Sequence, residues 1–179
     1  MTQASRLDHS TQSTISSDVS NVSSTAVVND SIDLSHDNTM ALACIADSVV
    51  TLENEAQLDG FMAAYIEDTA DKLPLFVLSG GSNVLLPAAL KAIVLQPKMR
   101  GIHLTNQTDN YVDIEVMAGE NWHDLVVHTV NQGWYGLENL ALIPGLTGAA
   151  PIQNIGAYGV QLEDRLQYVR AYHLPTQTW

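Results

Sequence analysis

Two stretches of this chain hold residues whose types and spacing could build a ligand site. The first runs from Leu142 to Gly159 and reads Leu-Ile-Pro-Gly-Leu-Thr-Gly-Ala-Ala-Pro-Ile-Gln-Asn-Ile-Gly-Ala-Tyr-Gly. No charged side chain lies between Glu138 and Glu163. Its glycines and prolines recur too closely for a regular helix and too irregularly for a central strand. Ile143, Ile152 and Ile155 make it too apolar for a solvated linker. Buried irregular backbone must satisfy its N–H and C=O groups, and small residues let a flat, polar-edged ligand approach them. A buried set of turns joining two lobes fits the same glycine content.

The second stretch is Ser79-Gly80-Gly81-Ser82-Asn83, placed directly after the apolar run Leu75-Phe76-Val77-Leu78. Paired glycines permit positive φ, so consecutive amides can converge on an anion, with the Ser82 hydroxyl and Asn83 amide as neutral donors. A plain tight turn is the competing reading. The loop lacks the Gly-Lys-Ser/Thr ending of a nucleoside-triphosphate loop. It also lacks the Gly-x-Gly-x-x-Gly pattern, and the following Val84-Leu85-Leu86 shows no evident helix, which disfavours a dinucleotide fold of that type.

Other candidates carry less chemistry. His123 and His128 are not stacked by helical spacing and do not read as metal ligands. The loop at Gly80 lacks the last glycine of a nucleophile elbow. Glu53 and Glu55 read as surface carboxylates near a helix start, where negative charge is favourable, and Glu163 and Asp164 as a solvated turn. Tyr158 offers an aromatic face and a hydroxyl, either to the core or to a ligand. No complete catalytic set is visible.

These loops need elements to position them. Ser48–Leu52 is rich in β-branched residues and predicts a strand. Asn54 with Gln57 has capping-box spacing, and Leu58, Phe61, Met62, Tyr65 and Ile66 fall on one helical face before Pro74. Leu75–Leu78 predicts a strand buried on both faces, and Ala92–Leu95 another. Residues 101–110 read as a polar connection. Tyr111–Val116 alternates, as a half-buried antiparallel strand does. Asn121 caps a helix through Val130 that ends at Gly133. Leu166–Leu174 predicts a last strand, with turn chemistry at Pro175–Thr178. Half a hairpin at Trp179 leaves an unpaired edge and marks the chain as a fragment.

The chain has 179 residues and a formal net charge of −13. Residues 1–37 are mostly small and polar and predict a disordered tail, whose removal through residue 35 is expected to leave stability unchanged. The tail has no basic region followed by an apolar run, so it is not a signal peptide. The remaining 140 or so residues suffice for a core. No stretch is long and apolar enough to span a bilayer. The seven basic residues form no patch, so nucleic acid is a poor partner. Cys44 is the only cysteine, which excludes an intrachain disulfide and fits a reducing cytoplasm. The acidic balance requires any phosphorylated ligand to be held by local dipoles.

Taken together, Leu78–Leu85, Ala118-Gly119-Glu120-Asn121-Trp122, Gly136-Leu137-Glu138-Asn139-Leu140, Ile143-Pro144-Gly145 and Pro151–Gly159 resemble the UDP-N-acetylenolpyruvoylglucosamine reductase (UDP-N-acetylmuramate dehydrogenase) family, flavoenzymes of peptidoglycan precursor synthesis. Asn38-Thr39 resembles the family's early signature. The resemblance runs from about Asn38 to Trp179, and the Pro-Ile-Gln-Asn-Ile-Gly-Ala-Tyr-Gly run is its most specific part. It implies an α+β, two-lobed FAD-binding domain of the vanillyl-alcohol oxidase type, with lobes at 38–100 and 101–179 and a separate C-terminal substrate lobe.

By the same resemblance, Gly80, Gly81, Ser82 and Asn83 would cradle the FAD pyrophosphate. Pro144, Gly145, Gly148, Ala149, Ile152, Asn154 and Gly156 would line the flavin, and Tyr158 would meet the sugar-nucleotide substrate. The implied reaction passes hydride from NADPH through FAD to an enolpyruvyl double bond. The family's catalytic Arg, proton-donating Ser and late Glu match nothing before Trp179, so the 179 residues are expected to be inactive alone. Ser79 stands where the family commonly has Gly, and Met40 where an aromatic is usual. The competing expectations are a non-catalytic flavin-binding or assembly module and a related FAD oxidase. About 150 further codons in frame after Trp179 would favour the reductase over the module.

Overall fold

A computed structural model describes residues 26–67 and 73–179. The elements in chain order are β1 (Val27–Asp33), β2 (Ile45–Leu52), α1 (Glu55–Glu67), β3 (Leu75–Val77), β4 (Ala89–Pro97), β5 (Ile102–Gln107), β6 (Val112–Val116), α2 (Trp122–Asn131), α3 (Ala150–Gln153), β7 (Gly156–Ala157) and β8 (Val160–Gln161). The fold is α+β. A four-stranded sheet has the order β1-β2-β4-β3, and β5-β6 and β7-β8 are two-stranded.

The first sheet is mixed. β1 runs antiparallel to β2, while β2 and β3 both run parallel to β4. Parallel neighbours need a crossover, and α1 supplies it. Its start uses the pair read from sequence: Asn54 Oδ1 accepts from Gln57 N–H (2.9 Å), while Gln57 Oε1 accepts from Glu53 N–H (2.6 Å), one residue before the cap. Val49 and Val94 face a cluster with Leu34, Cys44, Leu78 and Leu86. Val50 and Leu95, one residue on in each strand, face α1 through Leu58 and Met62. Alternation thus buries β2 and β4 on both sides, which explains their unbroken apolar runs. Cys44 is fully buried, and that burial pushes its thiol pKa up.

Four expectations change. Composition alone puts residues 26–37 in a disordered tail, but Val27–Asp33 pairs with β2 from Val27↔Thr51 to Asp33↔Ile45, and Leu34 is fully buried. Residues 1–25 of that expected tail lie outside the described residues. The 75–78 strand is an edge strand with Val77 54% exposed, because β4 takes the central place. The polar connection at 101–110 contains β5, which pairs antiparallel with β6 although its side chains beyond Ile102 are exposed. Residues 166–172 form no regular strand; the bridge His173↔Thr178 is the remnant of the expected hairpin.

Because β1 is paired, truncation through residue 35 is now expected to destabilise. It removes a strand and the Leu34 side chain, whose burial is worth roughly 2 kcal/mol on its own. The melting temperature should fall by about 10 °C or more in a thermal unfolding scan. An unchanged melting temperature would show that β1 adds nothing to the sheet.

The second half packs α2 on β5-β6. Asn121 caps α2 by accepting from Asp124 N–H at 3.1 Å, and Gly133 follows its end at φ +75°. Trp122, Leu125 and Val126 are buried with Leu140, Ala150, Ile155 and Leu162. The last segment then returns to the first half. Tyr172 and Leu174 pack on the α1 cluster, and Arg170 pairs with both oxygens of Glu55 while lying 4.3 Å over the Trp179 ring. No helix among the described residues is long and apolar enough to cross a membrane.

Candidate functional site

The loop after β3 meets the stretch after α2. Gly80 and Gly145 approach so closely that a Cβ on Gly80 would lie 3.2 Å from the Gly145 Cα. The Ser82 hydroxyl donates to Pro144 O at 3.2 Å, and a Cβ on Gly145 would lie 2.9 Å from that same hydroxyl oxygen. The two stretches singled out from sequence are therefore in direct contact, sixty-two residues apart.

The first loop keeps its backbone donors unused. None of the backbone amides from Gly80 to Asn83 donates to another described residue. Ser79 Oγ is buried without a hydrogen-bond partner among the described residues. Gly81 is buried at φ +62°, the left-handed region that alternates amide directions and forms an anion-binding concavity. No helix follows at Val84–Leu86, so the donors belong to the loop alone. A diphosphate fits such a set: several neutral donors, no carboxylate in the run, and side chains too small to obstruct approach.

The loop is held from below by Asn38, which is 6% exposed. Its Nδ2 donates to Leu34 O (2.9 Å) and Leu42 O (3.0 Å), and its Oδ1 accepts from Leu42 N–H (2.9 Å). Thr39 N–H donates to Gly81 O at 3.1 Å. Asn38-Thr39 was visible in the sequence only as part of a resemblance; its work as a buried support needed coordinates.

The central stretch is more structured than its glycine content predicts. Thr147–Ala149 is a 3-10 turn that leads into α3, where Pro151 sits in the first turn and lacks an N–H that would be unpaired there anyway. α3 buries Ala150 and leaves Ile152 87% exposed, and Ile155, just beyond it, is buried. Asn154, at φ +40°, ends it; its Nδ2 donates to Gln161 Oε1 (3.0 Å) and its Oδ1 accepts from Glu163 N–H (3.3 Å). Asn154 and Gly156 line an open cleft of about 470 Å³ at the β7-β8 hairpin, and Tyr158 at its tip is 88% exposed.

Among the expected residues, Gly80 and Ser82 are thus brought onto Pro144 and Gly145. Gly148 faces Ala118, where an added Cβ would lie 2.7 Å from the Ala118 Cβ. Ala149 is half-buried beside it, and Asn83 is exposed. Ile152, Asn154, Gly156 and Tyr158 are all exposed. Leu142, at φ +62°, is 77% exposed. His123 Nδ1 accepts from Leu142 N–H at 3.3 Å, so this histidine supports the stretch. Glu138 accepts from Gly136 N–H at 2.5 Å, a bond that holds its carboxyl pKa below the ordinary value.

The chain is similar to known proteins. A family model described as FAD binding domain matches residues 46–176. A UDP-N-acetylenolpyruvoylglucosamine reductase of Psychrobacter arcticus is 81% identical over 150 residues, covering 84% of this chain and 40% of the relative. One from Bordetella pertussis is 46% identical over 143 residues, covering 79% and 39%. The crystal structure of the Thermus caldophilus UDP-N-acetylenolpyruvylglucosamine reductase superposes with a TM-score of 0.55 at 24% identity, over 78% of this chain and 46% of that one, which supports the fold alone. The chain spans about 40% of the length of the curated relatives it matches. A family match over residues 46–176 means that the chain belongs to the FAD binding domain family, and within it the chain is similar to UDP-N-acetylenolpyruvoylglucosamine reductases.

Proposed function

We propose that the chain holds FAD with its diphosphate on the amides of Gly80, Gly81, Ser82 and Asn83. Pro144, Gly145, Gly148 and Ala149 would flank the flavin, with Ile152, Asn154 and Gly156 beyond them. The observation that carries this reading is the run of unused amides at Gly80–Asn83, placed against the Pro144–Gly145 backbone. Bound there, FAD would supply hydride transfer; the chain supplies position. Ser82 bridges the two loops and fixes their spacing, and the small residues at 80, 145 and 148 leave room for close backbone approach.

In the longer protein, the reaction would be reduction of UDP-N-acetylenolpyruvoylglucosamine to UDP-N-acetylmuramate with NADPH as donor, in peptidoglycan synthesis. Tyr158, exposed at the hairpin tip, would meet the nucleotide-sugar. A single buried cysteine and a nucleotide-linked substrate support a cytoplasmic setting. The boundary between the two lobes lies near residue 100. Residues 26–37 join the first lobe, and residues 170–179 return to it.

The test is titration of the purified 179-residue chain with FAD, FMN and riboflavin, followed by flavin fluorescence. The expected result is saturable binding of FAD at least tenfold tighter than of riboflavin, because only FAD carries the diphosphate and adenylate. Equal affinity for FAD and riboflavin would remove the Gly80–Asn83 loop from the reading.

A further inference from the structure

Thr147 lies between the proposed flavin-flanking residues but belongs to none of the assignments above. It is 9% exposed, and its hydroxyl donates to Met117 O. Its N–H donates to Glu120 O at 2.9 Å, and the next amide, Gly148 N–H, donates to Ala118 O at 3.0 Å. On its other side, Gly145 O accepts from Trp122 N–H at 3.1 Å. The 145–148 backbone is therefore laced to the 117–122 turn, and the Thr147 hydroxyl is the one side chain in that lacing.

The turn itself cannot yield. A Cβ on Gly119 would lie 2.5 Å from the Lys98 carbonyl carbon, so the turn sits flush on the end of β4. Glu120 fastens it further: Oε1 accepts from Gly101 N–H at 2.7 Å and Oε2 from Arg100 Nη1 at 3.1 Å. The loop 144–148 is thus referenced to the first sheet through this turn, and Gly145 is the residue that meets Gly80.

We propose that Thr147 is a positioning residue: through Met117 O its hydroxyl sets the height of the Pro144–Gly148 backbone over the Gly80–Asn83 loop, and so the spacing available to a bound dinucleotide. The ligand part rests on the FAD reading; the positioning part does not. Losing the hydroxyl leaves Met117 O with the Glu120 N–H alone (3.1 Å) and removes the side-chain tie between loop and turn in a part-buried place, a change felt locally.

The test compares Thr147→Val, which keeps the shape and removes the hydroxyl, with Thr147→Ser, which keeps the hydroxyl. Amide hydrogen exchange of the 179-residue chain without ligand is the first readout. Thr147→Val is expected to raise exchange of the amides at residues 147 and 148 by about tenfold, and Thr147→Ser to leave them within about threefold of the parent. FAD affinity is the second readout, with the same pattern expected. Unchanged exchange in Thr147→Val, or an equal rise in Thr147→Ser, overturns the inference. Where Thr147→Val does not fold, Thr147→Ala takes its place under the same criteria. A parent chain that binds no FAD overturns the flavin reading, while the exchange data still decide the role of Thr147.

Discussion

A Gly81→Val chain is expected to lose bound flavin and several kcal/mol of stability together. The sequence argument rests on backbone conformation: Gly81 sits at φ +62°, where a β-branched residue is strained by roughly 1–3 kcal/mol. The structure adds a larger reason. A Cβ at this position would lie 1.9 Å from Asp37 O and 2.8 Å from the Asn38 Cα. Both are backbone atoms, and the buried Asn38 side chain anchors them through its bonds to Leu34 and Leu42. The loop must therefore move away from residues 37–38, breaking the Thr39 N–H bond to Gly81 O and scattering the amides at Gly80–Asn83.

Overpacking adds roughly another 1–3 kcal/mol, so a total near 4 kcal/mol is expected in denaturant unfolding. Gly81→Ala should behave almost as badly, since the first side-chain carbon is the one that collides. Gly133→Ala is the control: its φ is +75°, but nothing lies within 4 Å of the added carbon, so only about 1 kcal/mol is at stake. Undiminished flavin absorbance in a folded Gly81→Val chain would remove the loop from the binding model.

The second large effect concerns turnover. The purified 179-residue chain, supplied with FAD and NADPH, is expected to give no turnover of UDP-N-acetylenolpyruvoylglucosamine. Saturating an enolpyruvyl double bond requires a proton delivered to one carbon as hydride reaches the other, and a positioned acid must give that proton. The small cavity beneath the central stretch is lined by Trp122, Ile143, Pro144, Gly145, Leu146, Ala150, Gln153 and Ile155. The hairpin cleft is lined by Asn154, Gly156, Ala157, Gly159, Val160 and Gln161. Amides and an indole are not acids.

Tyr158 carries a hydroxyl, but at 88% exposure it stands in water, as does Ile152 at 87%. Among the described residues that face is open to water, and exclusion of water is what makes positioned charges effective. The assay is substrate-dependent NADPH oxidation with product mass as a check. Repeated turnovers by the 179-residue chain would place a proton donor among these residues and overturn this reading.

Much of this was legible without coordinates, for local reasons. The caps and periodic faces that start α1 and α2 depend on residues three and four apart, so Asn54, Gln57 and Asn121 announced them. The apolar run in β4 reflects burial on both faces, which composition records directly. The glycine-rich loop at Ser79–Asn83 and the Leu142–Gly159 stretch stood out by residue type, and the Gly80–Gly145 contact joins them.

What tertiary structure decided depends on atoms distant in sequence. Val27–Asp33 is too polar to announce a strand, and it becomes one because β2 offers an unpaired edge. β3 looks like a central strand and lies at the edge, because strand order is set by the α1 crossover and not by the run itself. Gly81 needs glycine less for its φ than for Asp37, and the Thr147 hydroxyl has a purpose only because Met117 O is beside it. Strand pairing and backbone contact are properties of pairs, and a linear sequence states the members of a pair without stating that they meet.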